Sequence, residues 1–201
     1  MQSKQSVFQN QHGQSLIETL FVLFVLLVMC GVVASSMRWV QHKIHIQTAA
    51  EDMLNAVLTA RTEALRREKR VTLCVAELLA VGELPHRCDS TTPSAGSSPA
   101  TWQQGWLMFV DDNSNGMWDP AEVLLQQHSS LAKAVSATGN STVNRFISFG
   151  ANGRSLILNG GFQAGTLTFC ERLATASSGW LLVINAIGRP RLEKAEVANC
   201  L

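Results

Sequence analysis

Two arginines near the end of the chain, Arg189 and Arg191, flank a proline in the stretch GRPR at 188–191. In extended backbone, residues i and i+2 point to the same side, and Pro190 biases itself and the residue before it toward extended geometry. Two guanidinium groups would then face one way with little rotational freedom to lose. Arginine binds phosphate through paired hydrogen bonds. The spacing therefore predicts a phosphate-binding pair, with Gly188 allowing close backbone approach.

The same spacing also fits a strand end whose arginines are solvated or paired with Glu193 or Glu196. The whole chain carries a formal net charge of only +1, which excludes a globally basic nucleic-acid binder. Any anion-binding site must therefore be a local cluster of cations.

An acidic segment, DDNSNG at 111–116 followed by Glu122, matches the calcium-loop pattern D-x-[DN]-x-[DN]-G-x5-E letter for letter. Carboxylate and amide oxygens are the ligands that Ca²⁺ prefers. An EF-hand needs a helix on each side, however, whereas these flanks are typical of strands and Pro120 lies inside the segment. Asx and Gly residues between strands are also ordinary turn chemistry. The pattern favours a turn without metal, with a cation site as the alternative.

Five cysteines are present, and Cys30 lies within an apolar run where we expect it only to pack. The other four are Cys74, Cys88, Cys170 and Cys200. An oxidising compartment favours disulfides, and four cysteines allow three pairings. We favour Cys74–Cys88, which closes a short loop, and Cys170–Cys200, which anchors the last segment. Zinc is the rival, but the CxxC spacing of a zinc knuckle is absent.

Catalytic motifs are missing from the sequence. The five histidines are scattered, and His42 and His45, which would share a helix face, have no carboxylate or cysteine motif beside them. There is no GxSxG, HExxH or P-loop. We therefore expect no enzymatic activity, no catalytic residue and no cofactor.

A long helix is predicted at the N-terminal side. The apolar run from Leu16 to about Met37 has the length of about 20 residues that a membrane helix needs. Beyond it, apolar residues at spacings of three or four predict an amphipathic continuation to about residue 69, packed on a sheet. That stripe comprises Ile46, Ala49, Met53, Val57, Ala60 and Ala64. Basic residues at 66, 67, 69 and 70 suit a solvated helix C-terminus.

Strand patterns follow the helix, separated by Gly, Asn and Pro. They lie at 71–76, 105–111, 123–127, 145–150, 155–159, 166–170 and 180–185. A long helix followed by many strands predicts an α+β domain with an antiparallel sheet region. No internal repeat is present.

An acidic residue, Glu18, lies near the start of the apolar run, five residues after Gly13. An ionised carboxylate in hydrocarbon costs ~2.5–3.5 kcal/mol on insertion scales, so it needs a partner. The polar leader, the glycine, the spacing and the apolar helix together resemble the type IV prepilin signal. The resemblance implies that a prepilin peptidase cleaves between Gly13 and Gln14 and methylates the new terminus. Glu18 would then pair with the terminal amine of a neighbouring subunit. A plain signal anchor is the alternative.

Later segments extend this resemblance to the FimT/GspH-type minor pilins. They are LTARTEALRREKRVTLC (58–74), GWLMFVDDNSNGMWDPAEVLL (105–125), FGANGRS (149–155), TLTFC and GRPR. The resemblance implies a type IV pilin-like α+β fold, with a long N-terminal helix packed on antiparallel β-sheet. It divides the chain into a leader (1–13), a transmembrane and fibre-core helix (14–37) and a periplasmic domain (38–201). The N-terminus would be cytoplasmic, since Lys4 precedes the helix, and the inner membrane would hold the protein before it joins other pilins in a pilus.

The resemblance also implies a ligand. In FimT-type proteins of naturally competent bacteria, a C-terminal GRxR motif is implicated in binding incoming DNA, and Gly188, Arg189 and Arg191 match it residue by residue. Arg154, in NGRS, and Lys194 would extend the patch. We expect non-specific, salt-sensitive binding of double-stranded DNA through its phosphates, modest for each subunit.

A structural role is the alternative. A minor pilin or pseudopilin of this kind would prime assembly of a pilus or of a type II secretion pseudopilus. The same arginines would then contact another subunit.

Overall fold

The structure, a computed structural model, describes residues 15–77, 82–90, 101–198 and 200, and within residues 32–42 only the backbone. The predicted cleavage site at Gly13 and Gln14 lies outside the described residues. The chain divides into two compact units, Met1–Gln41 and His42–Leu201. Helix α1, Leu16–Arg67, begins in the first unit and ends in the second.

In the first unit, the described side chains of 15–31 are exposed, and most of them are apolar. Glu18 lies in the first turn of α1. No helix in the described part of the chain combines the length and apolar character that crossing a membrane requires.

In the second unit, the predicted apolar stripe of α1 is confirmed. Its six residues are at most 5% exposed, because this face of the helix packs into the hydrophobic core. The helix ends at Arg67, two residues before the predicted end, and the next residue, Glu68, has a positive φ of 54° that helical backbone does not adopt.

Within the described residues of this unit, eight strands form two antiparallel sheets. They are β1 (Val71–Val75), β2 (Trp106–Val110), β3 (Leu124–His128), β4 (Val135–Gly139), β5 (Phe146–Phe149), β6 (Gly165–Glu171), β7 (Ala176–Ile184) and β8 (Pro190–Ala198). One sheet has the order β3-β2-β1-β5 and the other β4-β6-β7-β8, and neighbouring strands in both sheets are antiparallel. One core joins α1 to the inner faces of both sheets, including Leu73, Ile147, Phe169 and Leu182. The predicted α+β class is confirmed.

Three strand assignments differ from the sequence pattern. The predicted strand at 155–159 is wrong, because the chain reverses there: Ile157 N donates to Gly161 O at 2.9 Å, and only isolated bridges flank the turn. Strand β4 contains Ser, Thr and Gly, and β8 mixes charged with apolar residues without regular alternation, so neither shows the β-branched run used for prediction.

Both favoured disulfides are present. Cys74 joins Cys88, and Cys170 joins Cys200 across 30 positions of sequence. Cys200 also donates its N–H to Ala174 O at 3.1 Å, while its carbonyl accepts from Leu173 N at 3.1 Å. The second bridge therefore fastens Cys200, two residues beyond β8, to strand β6, and the two hydrogen bonds fasten it to the turn that connects β6 and β7.

Replacing Cys170 and Cys200 together by serine should lower the stability of the folded unit by about 3–4 kcal/mol, because the bridge restricts a long loop of the unfolded chain. For a unit of this size, that corresponds to a fall of roughly 10 °C in Tm. Thermal unfolding followed by near-ultraviolet circular dichroism would measure it. An unchanged Tm would show that the hydrogen bonds to Cys200 suffice to hold the chain end.

Candidate nucleic-acid interface

The GRPR motif begins in the turn between β7 and β8, and hydrogen bonds fix the backbone of this turn. Gly188 N donates to Asn185 O at 2.9 Å, and Asn185 N donates to Arg189 O at 3.3 Å. The Asn185 side-chain oxygen accepts from Arg189 N at 2.8 Å. Gly188 has φ of +76°, which is the left-handed geometry of a hairpin loop closed by a glycine bulge. The turn therefore presents Arg189 from a defined backbone.

Gly188 is buried and packs the β7–β8 turn on a second turn, 150–154. A Cβ added at Gly188 would lie 2.5 Å from Gly153 O and 3.1 Å from Ser155 N. The approach of a ligand to the backbone of this glycine stays a prediction. The close approach is to Gly153, and any side chain at position 188 would separate the two turns.

Arg154 projects from the second turn. Its backbone lies between Gly153 and Ser155, the two residues whose atoms contact Gly188. Gly150 N donates to Arg154 O at 3.0 Å, which closes the turn. The exposed guanidinium lies over the ring of Phe162, with its carbon 4.5 Å from the ring centroid. We call Arg154, Arg189 and Arg191 the arginine surface.

Strand register decides which cations share a side. Arg191 and Glu193 lie on one face of β8, opposite Val183 and Leu181 of β7. Lys194 lies on the other face with Leu192, which packs against the core. The structure therefore places Lys194 and Arg191 on opposite faces of β8, and a part for Lys194 in DNA binding stays a prediction.

The two motif arginines differ in their partners. Arg191 Nε lies 2.7 Å from Glu193 Oε1, so the predicted alternative of pairing with Glu193 is observed. The exposed Arg189 guanidinium has no hydrogen-bond or ion-pair partner among the described residues. Arg189 can thus bind an anion without first breaking an ion pair, whereas a phosphate that binds Arg191 must compete with the Glu193 carboxylate.

Cations at the end of α1 form no comparable site. Glu63 accepts hydrogen bonds from Arg66 at 2.8 Å and from Arg67 at 2.6 Å, and these bonds lower the pKa of the Glu63 carboxyl. Lys69 Nζ lies 2.8 Å from Asp112 Oδ1. The interpretation of this cluster as an ordinary helix end agrees with these internal pairs.

The acidic segment at 111–122 is a turn closed by its own hydrogen bonds. Asp111 accepts the N–H groups of Asn115 at 3.0 Å and Gly116 at 3.1 Å, one on each carboxylate oxygen. Glu122 similarly accepts from Asp112 N at 3.0 Å and Asp119 N at 3.1 Å. The segment forms a turn whose backbone both carboxylates hold, and the absence of a metal from it stays a prediction.

Sequence reasoning did not anticipate Phe162 or the contact between Gly153 and Gly188. Gly153 and Arg154 stand more than thirty positions before the GRPR motif, so no local pattern links them. The nearest signal was the repeated Gly-Arg pair in NGRS and GRPR, which suggested a shared chemistry without its geometry.

Comparisons with known proteins identify a matching sequence family and similar solved structures. The sequence profile of the family described as "Type II transport protein GspH" matches residues 49–188, and no curated protein matches the chain. The type IV minor pilin FimU of Pseudomonas aeruginosa strain PAO1, in crystal form P21, is 20% identical with a TM-score of 0.51. That alignment covers 75% of this chain and 90% of FimU. A second FimU crystal form, P65, is also 20% identical, with a TM-score of 0.48 over 73% of this chain and 91% of that one.

The FimU alignment shows that the fold is type IV pilin-like, with a long helix and antiparallel sheets as expected. The family profile covers more than half of the chain and ends at Gly188, so Arg189 and Arg191 lie just beyond it. The chain therefore belongs to the GspH family, and it is a protein of the minor pilin and pseudopilin class.

Proposed function

We propose that this pilin-class protein binds extracellular DNA non-specifically, through phosphate contacts at the arginine surface, and that it serves DNA uptake in natural transformation. The observation that carries the proposal is the packing of Gly188 against Gly153 and Ser155. That contact places the turn bearing Arg154 directly against the turn bearing Arg189, although the two are far apart in sequence.

The side chains of the arginine surface are suited to binding the phosphate backbone of DNA. Arg154, Arg189 and Arg191 are all exposed, and guanidinium groups match phosphate geometry with paired donors. Contacts of this kind carry no base information, and each contact releases counterions, so affinity falls with salt. A few contacts for each subunit give modest affinity, and several subunits on one fibre would bind the same DNA molecule with higher overall affinity.

The N-terminal region would anchor the protein in the membrane and then incorporate it into the pilus fibre. In this proposal, a prepilin peptidase cleaves between Gly13 and Gln14, and the helix at 14–37 anchors the protein in the inner membrane with residues 38–201 in the periplasm. Glu18 then pairs with the terminal amine of a neighbouring pilin, which relieves its cost in lipid. The subunit finally enters an extracellular pilus.

A second candidate is a structural pseudopilin that primes assembly, favoured by the family description, which refers to type II transport. The exposed arginines would then contact an acidic surface of another subunit. Loss of fibres on replacing Arg189 and Arg191 would favour this role. Loss of DNA uptake with normal fibres would favour DNA binding.

Titrating the full-length protein, in a non-ionic detergent, with a short labelled duplex at several salt concentrations tests the proposal. We expect log K to fall linearly with log salt, with a slope of about −0.9 for each phosphate contacted.

The Glu193→Gln variant should bind the duplex about two- to fivefold tighter than the wild-type protein at low salt, because it removes a carboxylate that competes for Arg191.

Glu196→Gln is the matched control, since it makes the same charge change on the other face of β8. Equal gains for both variants would indicate a general charge effect instead of a specific competition. Failure of the wild-type protein to bind duplex DNA even at low salt would refute DNA binding altogether.

A further inference from the structure

The arginine surface includes an exposed aromatic ring that phosphate binding alone does not explain. Phe162 is 59% exposed, and Ile187, next to Gly188 in the β7–β8 turn, is 50% exposed. Scattered exposed apolar residues are common on proteins. Phe162 differs because the guanidinium of Arg154 lies over its ring, 4.5 Å from the centroid.

Hydrogen bonds and packing fix the backbone next to Arg154 and Phe162. Asn152 Oδ1 accepts from Arg154 N at 3.1 Å, and the contact with Gly188 fixes the residues on either side of Arg154. The residue after Phe162, Gln163, is fully buried, and its backbone N–H donates to Ser155 O at 3.0 Å. Little backbone freedom therefore remains to be lost when a ligand contacts the pair.

A guanidinium over an aromatic ring offers a flat, cationic face. Nucleobases stack on aromatic rings and on arginine planes, and this stacking is tolerant of sequence. In a duplex the base faces are covered by neighbouring base pairs, whereas in single strands and frayed ends they are open. The exposed side of the Arg154 guanidinium thus suits an unpaired base, and Arg189, on the adjoining turn, could take a neighbouring phosphate.

We propose that Arg154 and Phe162 form a stacking platform for unpaired bases, so that the arginine surface binds single-stranded DNA and strand ends through bases as well as phosphates. This inference rests on the proposed DNA binding and adds a ligand class to it. Phe162 acts as a positioning residue, since it holds Arg154, and the arginine plane receives the base.

Two variants separate stacking from charge. Arg154→Lys keeps the positive charge and removes the plane, and Phe162→Leu keeps an apolar side chain and removes the ring. Each would be titrated, as full-length protein, with a single-stranded oligonucleotide and with a duplex of equal length. We expect single-strand affinity to fall about five- to tenfold for both variants, and duplex affinity to change less than about twofold.

Arg172→Lys is the control for the first variant, because Arg172 is an exposed arginine in the β6–β7 turn, at the opposite end of β7 from the arginine surface. It should leave both affinities unchanged. Measured Tm values would confirm that each variant is folded.

Two results would overturn the platform while leaving the proposed function intact. One is an equal loss of single-strand and duplex affinity, which would indicate charge or structure only. The other is unchanged affinity for both DNA forms in both variants. Absence of wild-type binding to either form would instead refute the proposed function, and the platform with it.

Discussion

Replacing Arg189 and Arg191 together by glutamine should reduce affinity for duplex DNA at low salt by at least roughly tenfold and flatten the salt dependence by about two contacts. Arg189 has no competing partner among the described residues, so its loss removes a cation that was free to meet phosphate. Arg191 adds less by itself, because Glu193 already holds it at 2.7 Å. Fluorescence anisotropy with a labelled duplex, repeated over a salt series, measures both quantities.

The double variant Lys133→Gln with Arg172→Gln is the matched control. Both residues are exposed cations near the paired ends of β4 and β6, Val135 and Glu171. They lie at the far end of nine-residue β7, roughly 30 Å from the arginine surface at the usual rise per residue. If this control lost as much affinity as the arginine variant, binding would follow net charge and the arginine surface would not be the site.

In cells, the two candidate roles predict different outcomes for the same arginine variant. A DNA-binding minor pilin would lose transformation while its fibres persist. A priming pseudopilin would lose fibres or secretion, since the arginines would hold another subunit. Counting pili by electron microscopy beside a transformation assay distinguishes these results.

Gln163→Leu should destabilise the folded unit by about 3–5 kcal/mol, the largest stability effect that we expect from one substitution. The fully buried Gln163 side chain accepts from Ser148 N at 2.9 Å and from Ser155 Oγ at 3.3 Å. It donates to Thr142 O at 2.8 Å and to Phe146 O at 2.9 Å. Leucine is similar in size but leaves these groups buried without the partner that the amide supplied, and each costs about 1–3 kcal/mol.

The expected fall in Tm is roughly 10 °C for a unit of this size. Gln127→Leu is the matched control, because Gln127 is only partly buried and makes one hydrogen bond, from Nε2 to Pro85 O at 2.6 Å. It should shift the Tm by no more than about 3 °C. Similar shifts for both variants would mean that the buried amide does not organise the loop between β5 and β6.

Much of the fold was predictable because it depends on local periodicity. The stripe from Ile46 to Ala64 recurs at helical spacing and is buried as expected, and five predicted strands coincide with β1, β2, β3, β5 and β6 within two residues. The two disulfides also followed from the positions of four cysteines in a chain expected to be exported.

Other features could not be predicted, because they depend on partners distant in sequence. Strand β8 mixes charged and apolar residues without regular alternation, since Glu193 and Lys194 are adjacent, and its nine-residue pairing with β7 defines it as a strand. The segment 155–159 has a strand-like composition, yet the turn at Gly160 and Gly161 folds it back on itself. Lys194 lies near Arg191 in sequence, but register places it on the other face.

The sequence by itself determined that the chain has a long helix with an apolar stripe, a series of strands and a pair of arginines at GRPR, since each follows from spacing within one segment. Only the tertiary structure decided which turns lie together. The packing of Gly188 on Gly153, the stacking of Arg154 on Phe162 and the pairing of Arg191 with Glu193 are contacts across turns and strand faces. Their physical cause is the register of β7 and β8 and the close approach of two glycine turns, and neither is encoded in any single stretch of residues.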